Sequence, residues 1–312
     1  MMKKKDRQIS TMFFERTFAS KNKKAMLEKG RVPESGDLLT AEVKLIFFAF
    51  FLLSVINFCS RLPNGLSAPE RAGSLSYGEP TRKAAEGGRE FLVNLVHPDL
   101  NLLPEFKGHN VVWLYHDNYL AAKVLTKTHP TVAAKITAAI RKYGVTRSGK
   151  IELLFGEASL PLRRYELRDV AKEGAFTIRS EFTTDALNND FANYADLLCF
   201  AAIAEEDIVI ARSHLDEAYA MWDGIGFQDQ ASRKVKIYAT YKLALYLLAA
   251  RRFEHDATIL KPIQQRLLSM QAESGGWITD YKADKSPVGF ANVETTSLAI
   301  LALETANAHH SR

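Results

Sequence analysis

Lys261 to Tyr281 reads KPIQQRLLSMQAESGGWITDY. Ile263, Leu267 and Leu268 recur at helical spacing among charged and amide side chains, which predicts a helix with one polar face, part of a candidate helix over 255–271. Gln271 stands where the last carbonyls of that helix lose their partners. Gly275 or Gly276 can take a left-handed turn, and Trp277 can cover the opened end. The segment that follows, NVETTSLAILAL (292–303), is apolar nearly all round and predicts a helix buried on every side.

Working outward, the same alternation recurs. Candidate helices fall at 82–96, 116–127, 130–143, 190–205, 207–222, 235–251, 255–271 and 292–307, which makes four pairs. The second members begin YHDNYLAAKVL (115–125), DFANYADLLCFAAIA (190–204), YATYKLALYLLAA (238–250) and NVETTSLAILAL, each a polar or Tyr-rich turn running into apolar sequence. Their partners, such as RSHLDEAYAMWD, keep a polar face, so an inner ring of helices inside an outer ring satisfies both patterns. The expected fold class is all-α: an α/α toroid of about four helix hairpins, small or incomplete. Residues 144–185 change period. IELLFGE, RRYELRDV and GAFTIRSEF read as a small β-hairpin insertion over one mouth of the barrel.

Leu267, Leu268, Gln271, Gly275, Gly276 and Trp277 together resemble the QW-type repeat of the terpenoid cyclase and protein prenyltransferase α/α-toroid superfamily. The likeness is close over 261–303 and architectural over the rest of 82–312. It implies a fold and leaves the activity open, because that fold hosts cyclases, lyases, glycan enzymes and binding domains. The cyclase motif Asp-x-Asp-Asp is missing, and Asp185-Ala-Leu-Asn-Asn-Asp190 has the wrong spacing. Neither the zinc ligand set of the prenyltransferases nor a Gly-Cys-Gly-Glu-Gln thioester occurs.

The densest polar and aromatic cluster is Trp113 with Tyr115-His116-Asp117-Asn118-Tyr119, at the start of the first inner helix. Asn193, Tyr194 and Asp196 open the second inner helix, Tyr238 and Tyr241 the third, and Asn292, Glu294 and Thr295 the fourth. One rim is expected from all four. Aromatic platforms with carboxylates suit sugars, so Trp113, Tyr115, Asn118, Asn193, Tyr194, Tyr238, Tyr241 and Asn292 are the expected ligand-binding residues. Asp117 and Glu294 are the expected catalytic acid and base of glycosidic cleavage. The alternative for both carboxylates is plain helix capping. The histidines show no metal-ligand spacing and no phosphate loop occurs, so neither metal nor cofactor is expected. Gly224-Ile-Gly-Phe-Gln-Asp229 parallels the Gly-Gly-Trp turn and reads as a repeated structural turn.

The chain has 312 residues and a formal charge of +5. The excess lies in residues 1–44, of which 1–43 form a basic arm beginning Lys3-Lys4-Lys5, and the chain from residue 45 is formally neutral, which argues against nucleic acid as a partner. Leu45 to Ser60 reads LIFFAFFLLSVINFCS without a charge, so residues 44–60 are expected to be a membrane or signal-anchor helix. The flanking charges favour a single-pass protein with its N-terminus cytoplasmic and its C-terminal domain outside, secreted if the segment is cleaved; translation from Met26 would shorten the arm. Residues 61–81, rich in Pro, Gly and Ser, read as a flexible linker. Cys59 and Cys199 have no evident reason to pair, and Cys199 reads as a buried hydrophobe. The expected function is recognition or processing of a carbohydrate or similar polymer, by a glycan hydrolase or lyase if catalytic. A non-catalytic protein-binding scaffold is the alternative, and an isoprenoid cyclase-like enzyme the third reading.

Overall fold

The computed structural model describes residues 78–305 apart from 146, 148–149 and 158–161 and the side chain of residue 257. Eight α-helices occur among them: α1 Glu79–Leu95, α2 His116–Leu125, α3 Pro130–Lys142, α4 Ala195–Ala204, α5 Ile208–Tyr219, α6 Thr240–Arg252, α7 Ala257–Ser269 and α8 Val293–Glu304. Each overlaps a stretch of i, i+3, i+4 apolar spacing. The fold is nevertheless mixed α/β, which corrects the all-α expectation, because six strands form two three-stranded sheets. In the first, β1 (Val111–Trp113) runs parallel to β3 (Phe176–Leu187), which pairs antiparallel with β2 (Arg163–Glu173). In the second, β4 (Ile237–Ala239), β5 (Ile278–Lys282) and β6 (Pro287–Ala291) form an antiparallel meander.

The second sheet is concealed in the sequence by its shortness. Ile278-Thr279-Asp280-Tyr281 does alternate, but so few residues directly after a Gly-Gly-Trp turn read as the turn itself. Helix α1 also starts earlier than expected: Gly78 precedes Glu79-Pro80, and Pro in the first turn is a helix start, so residues 79–81 belong to the helix and not to a linker. The arm 1–43, the apolar run 44–60 and the linker as far as residue 77 lie outside the described residues. Among the described residues no helix is long and apolar enough to cross a membrane. The expected anchor and the sidedness built on it are therefore corrected: no described element supports either.

Helices α2, α4, α6 and α8 form the inner layer, with nearly every residue buried. α2 packs on α8, α8 on α6 and α6 on α4. From α4 a 3-10 turn, Ile151–Phe155, bridges back towards α2, where Tyr115 donates a 2.8 Å hydrogen bond to Glu152. The outer helices cover this layer, α1 on α8, α3 on α2, α5 on α4 and α7 on α6. The N-termini of α2, α4, α6 and α8 are the polar ends of otherwise apolar rods, and that difference positions the site.

The first and last inner-layer contacts meet at a glycine seam. Trp277 is fully buried; its indole donates to the Leu267 carbonyl at 2.8 Å, and its backbone N–H donates to Thr296 Oγ1 at 2.9 Å. A Cβ on Gly88 of α1 would stand 2.8 Å from the Trp277 ring and 3.1 Å from Ile300. Gly275 sits at φ +89, and a Cβ there would fall on the Gly87 carbonyl oxygen. Gln271 donates to the Ala84 carbonyl at 2.8 Å and to the Gly275 carbonyl at 2.7 Å, tying the turn to α1. Gly275→Ala should therefore cost about 2–4 kcal/mol from positive φ plus backbone overlap. Gly108→Ala, at φ +82 with nothing within 4 Å, should cost only about 1 kcal/mol. Urea unfolding of the two variants checks the contrast.

Candidate functional site

His116 opens α2 and is almost wholly buried. Its Nδ1 lies 3.0 Å from Glu181 and its Nε2 2.9 Å from Glu294, while its backbone N–H donates to the second Glu181 oxygen at 3.2 Å. Three elements meet here: α2 supplies the imidazole, β3 the carboxylate that fixes it, and the first turn of α8 the second carboxylate. Burial by itself would lower the His116 pKa, but Glu294 and Glu181 outweigh it and raise it to about 10. His116 is thus an imidazolium held between two carboxylates.

Asp117 follows on the same turn, 4% exposed, and among the described residues its carboxyl makes no hydrogen bond. Burial raises its pKa well above the ordinary carboxylate range; His116 pulls it down, while Glu294, Glu105 and Glu181 push it further up. Glu294 moves the other way. Burial raises it, but the His116 charge and hydrogen bond overcome that and leave it below the usual value. The two neighbouring carboxyls are thus pushed in opposite directions, the pattern that separates the roles of acid and base. Neither is a cap. Helix α2 has no side-chain cap, and α8 is capped by Asn292, whose oxygen accepts from Thr295 N at 2.9 Å.

A second ion cluster faces the same interior. Lys242 of α6 contacts Asp229, which is fully buried and also accepts from the backbone N–H groups of Ala195, Ala231 and Ser232. Lys242 lies 3.5 Å from Asp196, and Tyr241 donates to the other Asp196 oxygen at 3.0 Å. Although burial opposes both charges, Lys242 pulls the Asp196 pKa down, and Asp196 and Asp229 raise that of Lys242. Tyr165 of β2 senses Glu294, Glu181, Asp196 and Asp117 together, so the hairpin reaches in between the clusters. Burial lifts Asp280 to about 6, against Thr279 and Lys242.

The expected rim is only partly assembled. Asp117, Glu294 and Tyr241 come together around the two clusters. Trp113 stands beside Glu105 at the edge of the first. Tyr115 stacks on Tyr119 at 5.0 Å and turns to Glu152. Asn118 is fully buried, accepting from Leu103 N at 2.7 Å and donating to the Leu103 and Trp113 carbonyls: it clamps a loop and leaves no group for a ligand. Asn193 is exposed on a 3-10 turn and donates to the Asp190 carbonyl at 3.3 Å. Tyr194 is half-buried nearby, near enough to sense Asp190, Asp229 and Asp196. Tyr238 packs on Tyr281 and donates to Asp223 at 2.6 Å within the Gly224–Asp229 turn. Asn292 is the α8 cap described above.

Sequence reasoning missed Glu181, Lys242, Asp229 and Tyr165. Glu181 sits in RSEFTTD, where nothing distinguishes it from its solvated neighbours. Asp229 did carry a signal, its place after a Gly-x-Gly-Phe turn like that before Asp280. The fold also brings ligand atoms of His116, Asp117 and Glu294 within 4.8 Å of one another, a grouping that no sequence spacing reveals. Here, however, each imidazole nitrogen lies within 3.0 Å of a carboxylate oxygen and the raised pKa keeps the ring protonated, whereas a metal ligand must offer a lone pair. No protein-family model and no curated protein matches this chain.

A pH dependence follows. Burial, with repulsion from Glu294, raises Glu105 to about 7 against Trp113 and Arg179. A carboxyl whose folded pKa exceeds its unfolded value of about 4.3 binds its proton more tightly when folded, so it loses stabilising effect as pH rises from there to about 7. His116 acts likewise from its unfolded value of about 6.5 up to about 10. Unfolding free energy should fall across both windows. Glu105→Gln should make the first shallower, with Asp280 and Asp117 still contributing there, and leave the second, which denaturant titrations at pH 5, 7 and 9.5 would show.

Proposed function

We propose that this chain is an enzyme that cleaves a carbohydrate by general acid–base chemistry at Asp117 and Glu294. The observation that carries the reading is the juxtaposition of a buried carboxyl without a hydrogen-bond partner and a carboxylate fixed by His116, their oxygens within 4.8 Å. Oxygens within 4.8 Å fall short of the about 6.5–9.5 Å that leaves room for a water between the carboxyls, so the two-step, configuration-retaining route is the one that fits.

In that chemistry Asp117 gives its proton to the glycosidic oxygen as the bond to the anomeric carbon breaks. Glu294 attacks that carbon, forming a glycosyl ester with the oxygen that His116 does not hold. Water then gives a proton back to Asp117 and displaces Glu294, which restores both groups. His116 keeps Glu294 ionised and aimed, and Glu181 keeps His116 charged. Cys199 is no rival nucleophile, since burial pushes its thiol well up. The isoprenoid-cyclase reading fits less well: its acid belongs in an apolar aromatic cavity, and Asp117 is among Glu105, Glu181, Glu294 and His116. For a scaffold without catalysis, the Gln271 to Trp277 turn fits equally well, but the buried carboxyl pair has no purpose.

Incubation with neutral and amine-bearing oligosaccharides tests the proposal. Asp117→Asn and Glu294→Gln should each lower kcat by about 10²–10⁴, with thermal midpoints confirming folding. Proton NMR should show the first-formed product with the anomeric configuration of the substrate. Inversion, or turnover indifferent to both substitutions, sinks it.

A further inference from the structure

The head of α2 holds a contact that an ordinary ion pair does not explain. His116 Nε2 and Glu294 Oε1 are 2.9 Å apart, yet Nε2 is buried without an aligned hydrogen-bond partner, so the carboxylate oxygen stands beside the nitrogen and not along its N–H direction. Asp117 follows on the same turn, 4% exposed and without a hydrogen bond, and one ligand atom each of His116, Asp117 and Glu294 lie within 4.8 Å of one another. Donor atoms about 2.1 Å from a common ion stand about 3.0–3.4 Å apart when they are neighbours in an octahedron or a tetrahedron. Two atoms side by side, with a third unpaired carboxyl turned to them, have the arrangement of ligands around one centre.

The far side of the ring is held as a metal-bound imidazole is held. Nδ1 lies 3.0 Å from Glu181, whose other oxygen accepts from the His116 backbone N–H at 3.2 Å. A carboxylate on the outer nitrogen fixes the ring and makes the inner nitrogen a better donor. The charges nearby leave room for a cation. Arg179 is drawn to Asp169 at 3.0 Å, and Lys150 lies over the Phe200 and Tyr165 rings and divides its attraction between Glu294 and Asp196. Asp117 and Glu294 therefore share the imidazolium as their nearest positive charge, and a doubly charged ion in place of one proton satisfies both. As it stands the ring carries a proton on each nitrogen; an ion enters by displacing the one on Nε2, which leaves to solvent, while Nδ1 keeps its own against Glu181. One nitrogen and two carboxylate oxygens suit zinc or manganese, whereas magnesium and calcium favour oxygen alone.

We infer that His116 Nε2, Asp117 and Glu294 form a site for one divalent transition cation, zinc or manganese, which shuts the carboxyl pair by taking both of its members as ligands. The site stands on the geometry of the three side chains. Its inhibitory effect rests on the glycan-cleaving reading of Asp117 and Glu294, since an ion held there leaves neither a proton to give nor a free carboxylate to attack.

The test uses the full chain, treated with a chelator and then titrated with zinc, manganese or magnesium chloride in a calorimeter. Zinc or manganese should bind, and magnesium at least about ten-fold more weakly. Asp117→Asn and Glu294→Gln, which keep the shape of each side chain, should weaken Kd by about a hundred-fold, and Glu181→Gln, behind the ring, by about ten-fold, with thermal midpoints confirming folding. Asp216→Asn, which alters the separate His255–Asp216 contact at 2.9 Å, should leave Kd within about three-fold. Nitrogen-15 spectra of the wild type need no variant: in the zinc form His116 should carry a proton on Nδ1 alone. No binding, a Kd unmoved by Asp117→Asn and Glu294→Gln, or a proton kept on both ring nitrogens overturns the site. Zinc should also stop oligosaccharide turnover with an inhibition constant equal to Kd. Turnover that needs the pair but ignores bound zinc overturns the inhibition. Binding lost in both variants with turnover indifferent to them removes the glycan reading and keeps the site.

Discussion

Trp277 reaches full burial because α1 presents no side chain at Gly88, and the turn before it reaches α1 because Gly275 has no Cβ to meet the Gly87 carbonyl. A glycine pair in the middle of a helix costs about 1–2 kcal/mol against alanine, so it persists only where close approach returns more. Here the return is the joining of the chain's first described helix to its last two. With α1 held against the Gly275–Trp277 turn, α8 is trapped between α1, α2 and α6, and the heads of α2 and α8 are set side by side. His116 and Glu294 occupy those heads. Their contact is thus a consequence of a packing constraint distant from them in sequence.

The two sheets complete what the helices begin. Apolar rods stacked side by side leave their polar first turns facing a common space, and carboxylates concentrated there repel one another unless cations or protons intervene. Hairpin β2–β3 brings Glu181 to the imidazole and Tyr165 to the region between the clusters. The β5–β6 hairpin begins where the Trp277 turn ends and returns the chain to Asn292, the cap of α8. The strands therefore determine where the inner helices start; the sequence reading expected the hairpin within 144–185 but neither β1 nor the β4–β5–β6 sheet.

Much of the helical framework was legible because its signals are periodic. Apolar residues at i, i+3 and i+4 over ten or more positions are hard to mimic by chance, and the inner helices lack any polar face. Gln271, Gly275, Gly276 and Trp277 were readable as a helix end because each has a separate local reason to be there. Asp117 and Glu294 were readable as members of polar first turns, but not as partners. Their first-turn positions suggested capping as strongly as chemistry, and what distinguishes the two is which neighbours the fold supplies. Glu181 was invisible, since in an alternating strand the one buried carboxylate looks like its solvated neighbours. The Gly87-Gly88 pair was visible but unexplained, as its partner lies nearly two hundred residues away in the chain.

Stability alone does not account for the cluster. A buried ion pair is commonly matched or bettered by apolar residues of the same volume, and a buried carboxyl with no hydrogen bond is worse than either. In the second cluster Asp229 accepts from three backbone N–H groups and meets Lys242, so Asp229 can be read as a structural joint, while Asp196 Oδ1 beside it has no hydrogen-bond partner. Around His116 more atoms are left over: Glu105 Oε2, His109 Nδ1, His116 Nε2 and Glu181 Oε1 are buried with no hydrogen-bond partner. Polar groups left in that state tend to be ones whose partner arrives with the substrate.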